Sequence, residues 1–154
     1  MKILIISHYF HPENFRVNDL AMGLSDKGHK VTVLTGLPNY PDGDYYPGYD
    51  FFSPKKIENF NGVEVIRCRV LPRKKGKAWN LICNYLSFII SASLKILQIS
   101  KNKYDVSLVF AVSPITTVVP AIFLKKIAGT PICIWVQDLW PESVKAATKK
   151  KKDF

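Results

Sequence analysis

An acid and a tryptophan follow the last apolar run of the sequence, in the stretch VQDLWPES (Val136 to Ser143). At the end of a strand, the carboxylate of Asp138 could accept hydrogen bonds from the hydroxyl groups of a sugar, while the flat ring of Trp140 covers the sugar face. The alternative is local, with Asp138 or Ser143 capping the next helix and Pro141 in its first turn. We predict a polyhydroxylated ligand here and take Asp138 as the candidate catalytic residue.

Two further pairs of residues also follow apolar runs. Asn14 and Arg16 stand at a helix start, where they could hold an anion together with backbone N–H groups of the first turn; alternatively, Asn14 only caps the helix. Asn39 and Tyr40 lie in GLPNYP (Gly36 to Pro41), a loop stiffened by two prolines. That loop either presents them to a ligand or covers the sheet edge. Both pairs are candidates for substrate binding.

Several kinds of site are not expected. The first loop, SHYFHPENFRVN, has no GxGxxG and no GK[ST] sequence, which argues against an NAD-dependent dehydrogenase and an NTPase. His8 and His11 could share a metal ion, but no third ligand has a readable spacing, so we favour polar packing at a strand end. The three cysteines have neither CxxC nor Cys/His spacing, and no disulfide framework or zinc site is expected. We predict no cofactor and no metal.

The elements that position these residues alternate between strand and helix patterns. KILIIS and KVTVLTG are apolar runs typical of strands buried on both faces, VEVIRCRV alternates as a strand does, and DVSLVFAV and PICIWVQD are predicted as the fourth and fifth strands. The alternation predicts an α/β fold with a Rossmann-like doubly wound parallel sheet in one domain. Ligands bind such sheets at the carboxyl ends of the strands, where the candidate residues stand. Residues 37–62 have no clear periodicity, and we expect a functional connection there.

The charge balance favours an anionic partner. The 154 residues include 22 basic and 12 acidic ones, for a net charge of +10. Arg73, Lys74, Lys75 and Lys77 precede a long helix that is apolar almost all round. We predict an interfacial anchor on an anionic membrane; the alternative is a core helix packed against the sheet. The polar residues of this helix form one narrow stripe: Asn84, Ser87, Ser91, Lys95 and Gln98.

A nucleic-acid partner is not expected, because the aromatic residues are not interleaved with the basic ones as a stacking platform requires. The chain is expected to be cytoplasmic, since the apolar run Ile3 to Ile6 is too short for a signal peptide. With the anchor described above, the predicted location is peripheral, on the inner face of the cytoplasmic membrane.

Five segments, in order, resemble the N-terminal half of a family of bacterial glycosyltransferases: YFHPENFRVNDLA, GHKVTVLTGLPNYPDG, NYLSF, VFAVSP and IWVQDLWPES. These are retaining enzymes of glycosyltransferase family 4 with the GT-B fold, which build O-antigen, capsule and colanic-acid polysaccharides, especially those that add deoxy-amino sugars such as N-acetylfucosamine. The resemblance runs from Lys2 to about Val144. It implies a hexosyltransferase-type enzyme whose active site lies in the cleft between two Rossmann-like halves.

The resemblance also implies a division of labour between those halves. The N-terminal half, residues 1–148 here, holds the acceptor, a polyprenyl-diphosphate-linked sugar, and residues 149–154 form a basic tail. The nucleotide-sugar donor belongs to a C-terminal half carrying two glutamates seven residues apart, which these 154 residues do not contain. We therefore expect no activity from this chain alone. The positions that the resemblance places at the cleft are Asn14, Arg16, Asn39, Tyr40, Asp138 and Trp140.

A second function stays open at this point. The chain could be a non-catalytic, membrane-recruiting subunit of a split transferase that borrows a catalytic partner chain. A neighbouring reading frame that encodes the glutamate pair would favour this alternative.

Overall fold

The computed structural model describes residues 1–52, 57–74, 77–112 and 114–137. Among these residues the strands are β1 (Lys2–Ser7), β2 (Lys30–Gly36), β3 (Glu58–Phe60), β4 (Val63–Cys68), β5 (Val106–Ala111) and β6 (Ile132–Val136). The α-helices are α1 (Arg16–Asp26), α2 (Ala78–Ile99) and α3 (Val119–Ala128). Short 3-10 turns follow α2 at Ser100–Asn102 and precede α3 at Ile115–Val118.

The strands form a six-stranded sheet in the order β3-β4-β2-β1-β5-β6. The four pairings among β4, β2, β1, β5 and β6 are parallel. This confirms the predicted α/β, Rossmann-like fold class. The short strand β3 pairs antiparallel with β4 at the edge and lies inside the long connection for which no strand was predicted.

Both faces of the central strands are covered, and side chains alternate between the two faces. The edge strand β6 is largely exposed. On β1, Ile3 and Ile5 pack in one cluster with residues of α1. Leu4 and Ile6 pack in the other cluster, with residues of α2 and α3. The apolar run in KILIIS is continuous because β1 is central and buried on both faces.

Helix α3 begins where its proline is tolerated. The sequence SPITTVVPAIF allows two starts for this helix, a kinked helix from Pro114 or a start near Thr117. The structure has a 3-10 turn first and then α3, with Pro120 in its first turn, so the second alternative is confirmed. Proline lacks a backbone N–H group. The N–H groups of the first turn of a helix have no acceptor within the helix, so a proline there breaks no hydrogen bond.

Helix α2 has the predicted polar stripe, and its first three residues, Asn84, Ser87 and Ser91, point towards the protein, whereas Gln98 at the other end is exposed. The hydroxyl groups of Ser87 and Ser91 accept hydrogen bonds of 2.9 Å from the backbone N–H groups of Leu71 and Arg69, respectively. The amide of Asn84, which is fully buried, donates to the Leu71 carbonyl at 2.6 Å. The stripe therefore satisfies the backbone of the segment that leaves β4, a segment outside the hydrogen-bonded sheet.

The opposite side of α2 is apolar and faces outward. Its large exposed side chains are Trp79, Ile82, Leu86, Ile90, Leu94 and Leu97, which we call the outer stripe. The segment Ala78–Asn102 has a mean hydropathy of 1.5 and is long and apolar enough to cross a membrane by length and composition. Its inner side is nevertheless packed on the sheet through Phe88, Ala92 and Ile96, so α2 is a packed helix with an uncovered apolar side.

Candidate functional site

The loops that follow β1 and β2 are joined by one carboxylate. Glu13 is 1% exposed, and its Oε1 accepts hydrogen bonds from the backbone N–H groups of Asn39 at 2.9 Å and Tyr40 at 2.8 Å. Its Oε2 accepts a third from the N–H of Phe10 at 3.2 Å. The position of Asn39 and Tyr40 is thus set by a residue of the first loop.

The environment of Glu13 disfavours its charge. Burial raises the pKa of this carboxyl to about 7, against the three backbone N–H groups, which lower it. Glu13 therefore exchanges a proton near neutral pH. Its acceptor oxygens serve the loop backbone in either state, because a protonated carboxyl still presents lone pairs.

Three aromatic rings stand together at the same end of the sheet, and we call them the aromatic wall: Tyr9, Phe15 and Tyr40. Tyr9 and Phe15 are stacked, with ring centroids 4.9 Å apart. Tyr40 lies 5.6 Å from Tyr9 and 5.4 Å from Phe15. Tyr9 is buried and Tyr40 is 40% exposed, so the wall presents the Tyr40 ring to solvent.

Arg73, from the segment after β4, completes this group. Its guanidinium carbon lies 5.2 Å from the centroid of Tyr40 and 5.8 Å from that of Tyr9, within the range of cation–π contact. The loops after β1, β2 and β4 therefore meet at one place. Parallel strands bring their carboxyl ends to one edge of the sheet, which is why residues so distant in sequence converge here.

A polar chain runs beneath the wall. The Nε2 of His8 lies 2.9 Å from the Oδ1 of Asn84, and the amide nitrogen of Asn84 lies 3.4 Å from the Oδ1 of Asn39. Burial, helped by the positive charge of Arg73 and opposed by the hydrogen bond to Asn84, lowers the pKa of His8 to about 3. His8 is therefore neutral at physiological pH, and with Nε2 as the donor it fits the Asn84 carbonyl oxygen.

Arg67 supports the site from behind. It is 2% exposed and forms a salt bridge with Glu58 of β3 at 3.0 Å. Its guanidinium also donates to the carbonyls of His11 and Gly36, so it joins the first loop to the end of β2. The guanidinium of Arg67 is thus used in structural contacts, unlike that of Arg73.

The basic segment is held to the β2 loop at Gly43. The N–H of Lys74 donates to the Gly43 carbonyl at 2.7 Å. Gly43 has φ +90°, and a Cβ there would meet the Lys74 carbonyl oxygen at 1.8 Å. Only glycine fits this approach.

The predicted binding residues fall into separate places. Asn39 and Tyr40 lie in the converging loops, and Arg73 covers the Tyr40 ring. Asn14 and Arg16 are exposed at the start of α1. The N-cap position of α1 is Phe15, with no side-chain cap bond, so Asn14 does not cap the helix. Asn18, further along, accepts from the His11 N–H and donates to the Glu13 carbonyl instead.

The remaining predicted residues divide in the same way. Lys74 and Lys77 are exposed near the start of α2. Asp138, Trp140 and Lys75 lie outside the described residues, so their roles stay predictions. His8 and His11 take different partners: His8 bonds to Asn84, while the His11 ring stacks on Phe60 with centroids 4.2 Å apart.

Of the residues at this site, Tyr40 was predicted, whereas Glu13 and the other two rings of the aromatic wall, Tyr9 and Phe15, were not. A glutamate two residues after a histidine and next to a proline carries no mark of burial, since glutamate is among the residues most rarely buried. Tyr9 and Phe15 stand in a loop, where no periodicity applies. The available signal was weak: an acid and two aromatic residues concentrated at the end of a strand that a parallel sheet directs towards a ligand.

Comparison with known proteins identifies the family of this chain. The model of a family described as "Glycosyl transferase 4-like domain" matches residues 14–151, which is most of the sequence. The chain belongs to this family. The match covers the converging loops from Asn14 onward, together with α1, α2 and α3.

Other comparisons speak only to the fold of this glycosyl transferase 4-like domain. Two crystal structures of the C-terminal domain of the PF1911 hydrogenase from Pyrococcus furiosus are similar to it, with TM-scores of 0.56 and 0.54 and identities of 16% and 15%. They cover 87% and 86% of this chain, and 90% and 89% of those chains are covered in turn. At such identities only the sheet and helix arrangement is shared. No curated protein matches the chain.

Proposed function

We propose that this glycosyl transferase 4-like domain is the acceptor-binding half of a retaining hexosyltransferase. The enzyme moves a sugar from a nucleotide-diphosphate donor to a polyprenyl-diphosphate-linked acceptor in surface polysaccharide synthesis of the O-antigen, capsule or colanic-acid type. The convergence of the loops after β1, β2 and β4, which presents Tyr40 beside Arg73, carries the proposal. Membership of the family supports transferase chemistry.

The site suits a sugar acceptor on physical grounds. An exposed tyrosine ring can pack against the C–H face of a pyranose, and the wall behind it keeps that ring in place. The Glu13 hydrogen bonds fix the backbone of the loop that carries Tyr40. A positioned acceptor hydroxyl lowers the barrier to transfer because less orientational freedom is lost at the reaction step. Charges that stabilise the departing nucleotide belong to the donor half.

A reconstituted transfer reaction tests the proposal. The chain is combined with a nucleotide-sugar domain that carries the glutamate pair and is supplied with polyprenyl-diphosphate-linked acceptors and a panel of nucleotide sugars. We expect transfer from one donor, with Tyr40→Ala raising the KM for acceptor and Asp138→Asn lowering kcat. The matched control is Tyr46→Phe, which keeps the ring and removes only the hydroxyl that donates to the Tyr40 carbonyl.

Two outcomes count against the proposal. Absence of transfer from every donor in the panel argues against a hexosyltransferase. Unchanged kinetics in Tyr40→Ala argue against this wall as the acceptor site. Unchanged kinetics in Asp138→Asn remove Asp138 from the catalytic site.

We further propose that the domain binds the anionic inner face of the cytoplasmic membrane, where a lipid-linked acceptor resides. The outer stripe of α2 exposes Trp79 at 72%, Ile90 at 61% and Leu94 at 59%. Between Val65 and Gln137 the sequence has a single acid, Asp105. An apolar face within a region of positive charge matches an interface of acyl chains and anionic headgroups.

Flotation with liposomes tests the membrane proposal. Vesicles containing anionic phospholipid are expected to carry the chain upward, whereas zwitterionic vesicles carry less of it. Lys74→Gln with Lys77→Gln, and separately Ile90→Ser with Leu94→Ser, should each reduce binding. Lys27→Gln with Lys30→Gln, which removes the same charge at the far end of the sheet, is the control. An equal loss of vesicle binding in the control would contradict the proposal and indicate general charge attraction.

The outer stripe equally supports the second candidate, a non-catalytic subunit that recruits a catalytic partner to the membrane. The two candidate functions predict different effects of a substitution in the aromatic wall on the acceptor KM. If the chain only recruits a catalytic partner, Tyr40→Ala leaves the acceptor KM of the assembled enzyme unchanged. The variant without the charges of Lys74 and Lys77 still reduces transfer on vesicles.

A further inference from the structure

Arg73 differs from the basic residues near it in sequence. Lys74 and Lys77 are exposed, whereas Arg73 is half-buried and lies over Tyr9 and Tyr40. Its Nε is buried and has no hydrogen-bond partner among the described residues. A guanidinium donor that is desolvated and unpaired is energetically unfavourable, and a ligand oxygen that accepts its hydrogen bond would relieve this.

The groups around Arg73 do not neutralise its charge. In the described part of the chain, the one salt bridge within 4.0 Å joins Arg67 to Glu58. Glu13 is occupied by backbone N–H groups. The Nδ1 of His8 is likewise buried without a partner among the described residues. Among the described residues, the site therefore holds a cation with no acid paired to it, beside the exposed ring of Tyr40.

We propose that Arg73 binds a phosphate oxygen of the acceptor, with the acceptor sugar on the exposed ring of Tyr40. This inference deepens the proposed function and rests on it. A guanidinium presents planar, paired donors that match phosphate, and it does so without the flexibility of lysine. The two tyrosine rings hold the guanidinium plane in position before the ligand arrives, which reduces the entropy lost on binding.

This role separates two functions within one basic segment. Lys74 and Lys77 act at the membrane surface, while Arg73 binds the diphosphate of the acceptor. The hydrogen bond from the Lys74 N–H to the Gly43 carbonyl holds the backbone next to Arg73 in place. The membrane role predicted for Arg73 stays a prediction that the same variants can test. A substrate whose lipid tail lies in the membrane then places its diphosphate between the lysines and the aromatic wall.

The binding test uses the 154-residue chain with three probes: inorganic pyrophosphate, farnesyl diphosphate and farnesol. The arginine Nε–H resonance of Arg73 is followed by NMR. Pyrophosphate and farnesyl diphosphate should shift it, because Nε gains an acceptor, whereas farnesol should not. Arg73→Gln should weaken binding of either diphosphate by about tenfold or more, and Arg73→Lys should restore little of it. Lys27→Gln is the matched control for lost charge.

The outcomes separate the explanations. An unshifted Arg73 resonance, or equal weakening in Lys27→Gln, overturns the inference and points to diffuse attraction. A shift with farnesyl diphosphate alone assigns the site to a lipid-linked source, and a shift with pyrophosphate too assigns it to the phosphate group itself; both support the inference. Liposome flotation that falls in Arg73→Gln as much as in the Lys74 and Lys77 variant, with diphosphate binding unchanged, also overturns it.

Failure of the inference is distinguishable from failure of the proposed function. If the reconstituted enzyme transfers sugar and Arg73→Gln leaves the acceptor KM unchanged, the function stands and Arg73 has no part in it. If Arg73 binds diphosphates but no sugar is transferred from any donor, the site stands and the transferase assignment falls.

Discussion

The Oε1 atom of Glu13 lies 2.8 Å from the backbone nitrogen of Tyr40 and accepts its hydrogen bond. The same oxygen accepts the N–H of Asn39, and the other oxygen accepts that of Phe10. A single side chain thus satisfies three backbone donors that no regular element serves. The loops after β1 and β2 share one support, and a ligand that moves Tyr40 acts on both.

Removal of this support should destabilise the fold. Glu13→Ala leaves three N–H groups without their acceptor, and we expect a loss of about 2–4 kcal/mol in the free energy of unfolding, since each unpaired donor costs roughly 1–3 kcal/mol unless water reaches it. Urea denaturation at pH 6 measures it. Glu64→Ala is the control, because Glu64 accepts only a 3.3 Å bond from Thr32 at the sheet surface. Equal effects in the two variants would show that Glu13 is no special support.

Protonation of Glu13 should make stability depend on pH. The folded pKa is raised from 4.5 to about 7, so the stabilising contribution is complete below 4.5 and is lost as the pH rises through 7. Glu13→Gln mimics the neutral form and removes this dependence. Relative to Glu13→Gln, the wild type should lose about 3 kcal/mol between pH 4.5 and 7. A constant difference over that range would contradict the raised pKa.

His8 acts in the opposite direction. Its folded pKa is lowered from 6.5 to about 3, so its contribution is complete above 6.5 and is lost as the pH falls towards 3. In the wild type, the opposite effects of Glu13 and His8 on the free energy of unfolding offset each other between pH 4.5 and 6.5. In Glu13→Gln the strongly shifted His8 remains, with a pKa of the exposed His11 that is lowered in the same direction. Unfolding by urea should then become harder with rising pH, by about 1.4 kcal/mol per unit from His8 over that window. A flat profile in Glu13→Gln would contradict this assignment.

Much of this architecture could be predicted from the sequence, and the part that could not has a physical cause. The central strands β1 and β2 are buried on both faces, so their sequence is continuously apolar and their limits were correct to the residue. Strand β5 is one residue shorter at each end than the predicted DVSLVFAV. The edge strand β3 has three residues, none of them buried, and leaves no periodic signal. The Glu13 bonds to Asn39 and Tyr40 arise only when distant loops meet, and no local pattern encodes them.

The polar stripe of α2 illustrates a partial success. Helical periodicity placed Asn84, Ser87 and Ser91 on one side of the helix, as the structure confirms. The periodicity did not say which side faces the protein, because the backbone partners at Arg69 and Leu71 belong to an irregular segment. A polar stripe is usually the solvated side of a helix, and here it is the inner one.

Gly43 should tolerate no side chain. Gly43→Ala combines a φ of +90° with a Cβ that would meet the Lys74 carbonyl oxygen at 1.8 Å, and we expect a loss of about 2–4 kcal/mol together with release of the basic segment from the β2 loop. Gly48→Ala is the control, with φ +84° and open space around its Cβ, and should cost about 1 kcal/mol. Thermal unfolding compares the two. Equal losses would mean that the close contact at Lys74 is not held.

Asn84 should be the most sensitive of the polar residues of α2. Asn84→Ala leaves the Leu71 carbonyl and the Nε2 of His8 without partners, and we expect a loss of about 2–4 kcal/mol. Asn80→Ala, in the first turn of the same helix, should change stability by less than about 0.5 kcal/mol. Urea denaturation measures both. A small effect of Asn84→Ala would show that the buried polar chain contributes little.

The outward apolar side of α2 has a practical consequence for handling this protein. In plain buffer, hydrocarbon side chains that span the full length of a helix will find one another, so concentrated samples should self-associate and sediment faster than a monomer. Mild detergent should reverse this by coating that side. Kinetic work on the domain therefore belongs in micelles, nanodiscs or vesicles, where this apolar surface is covered.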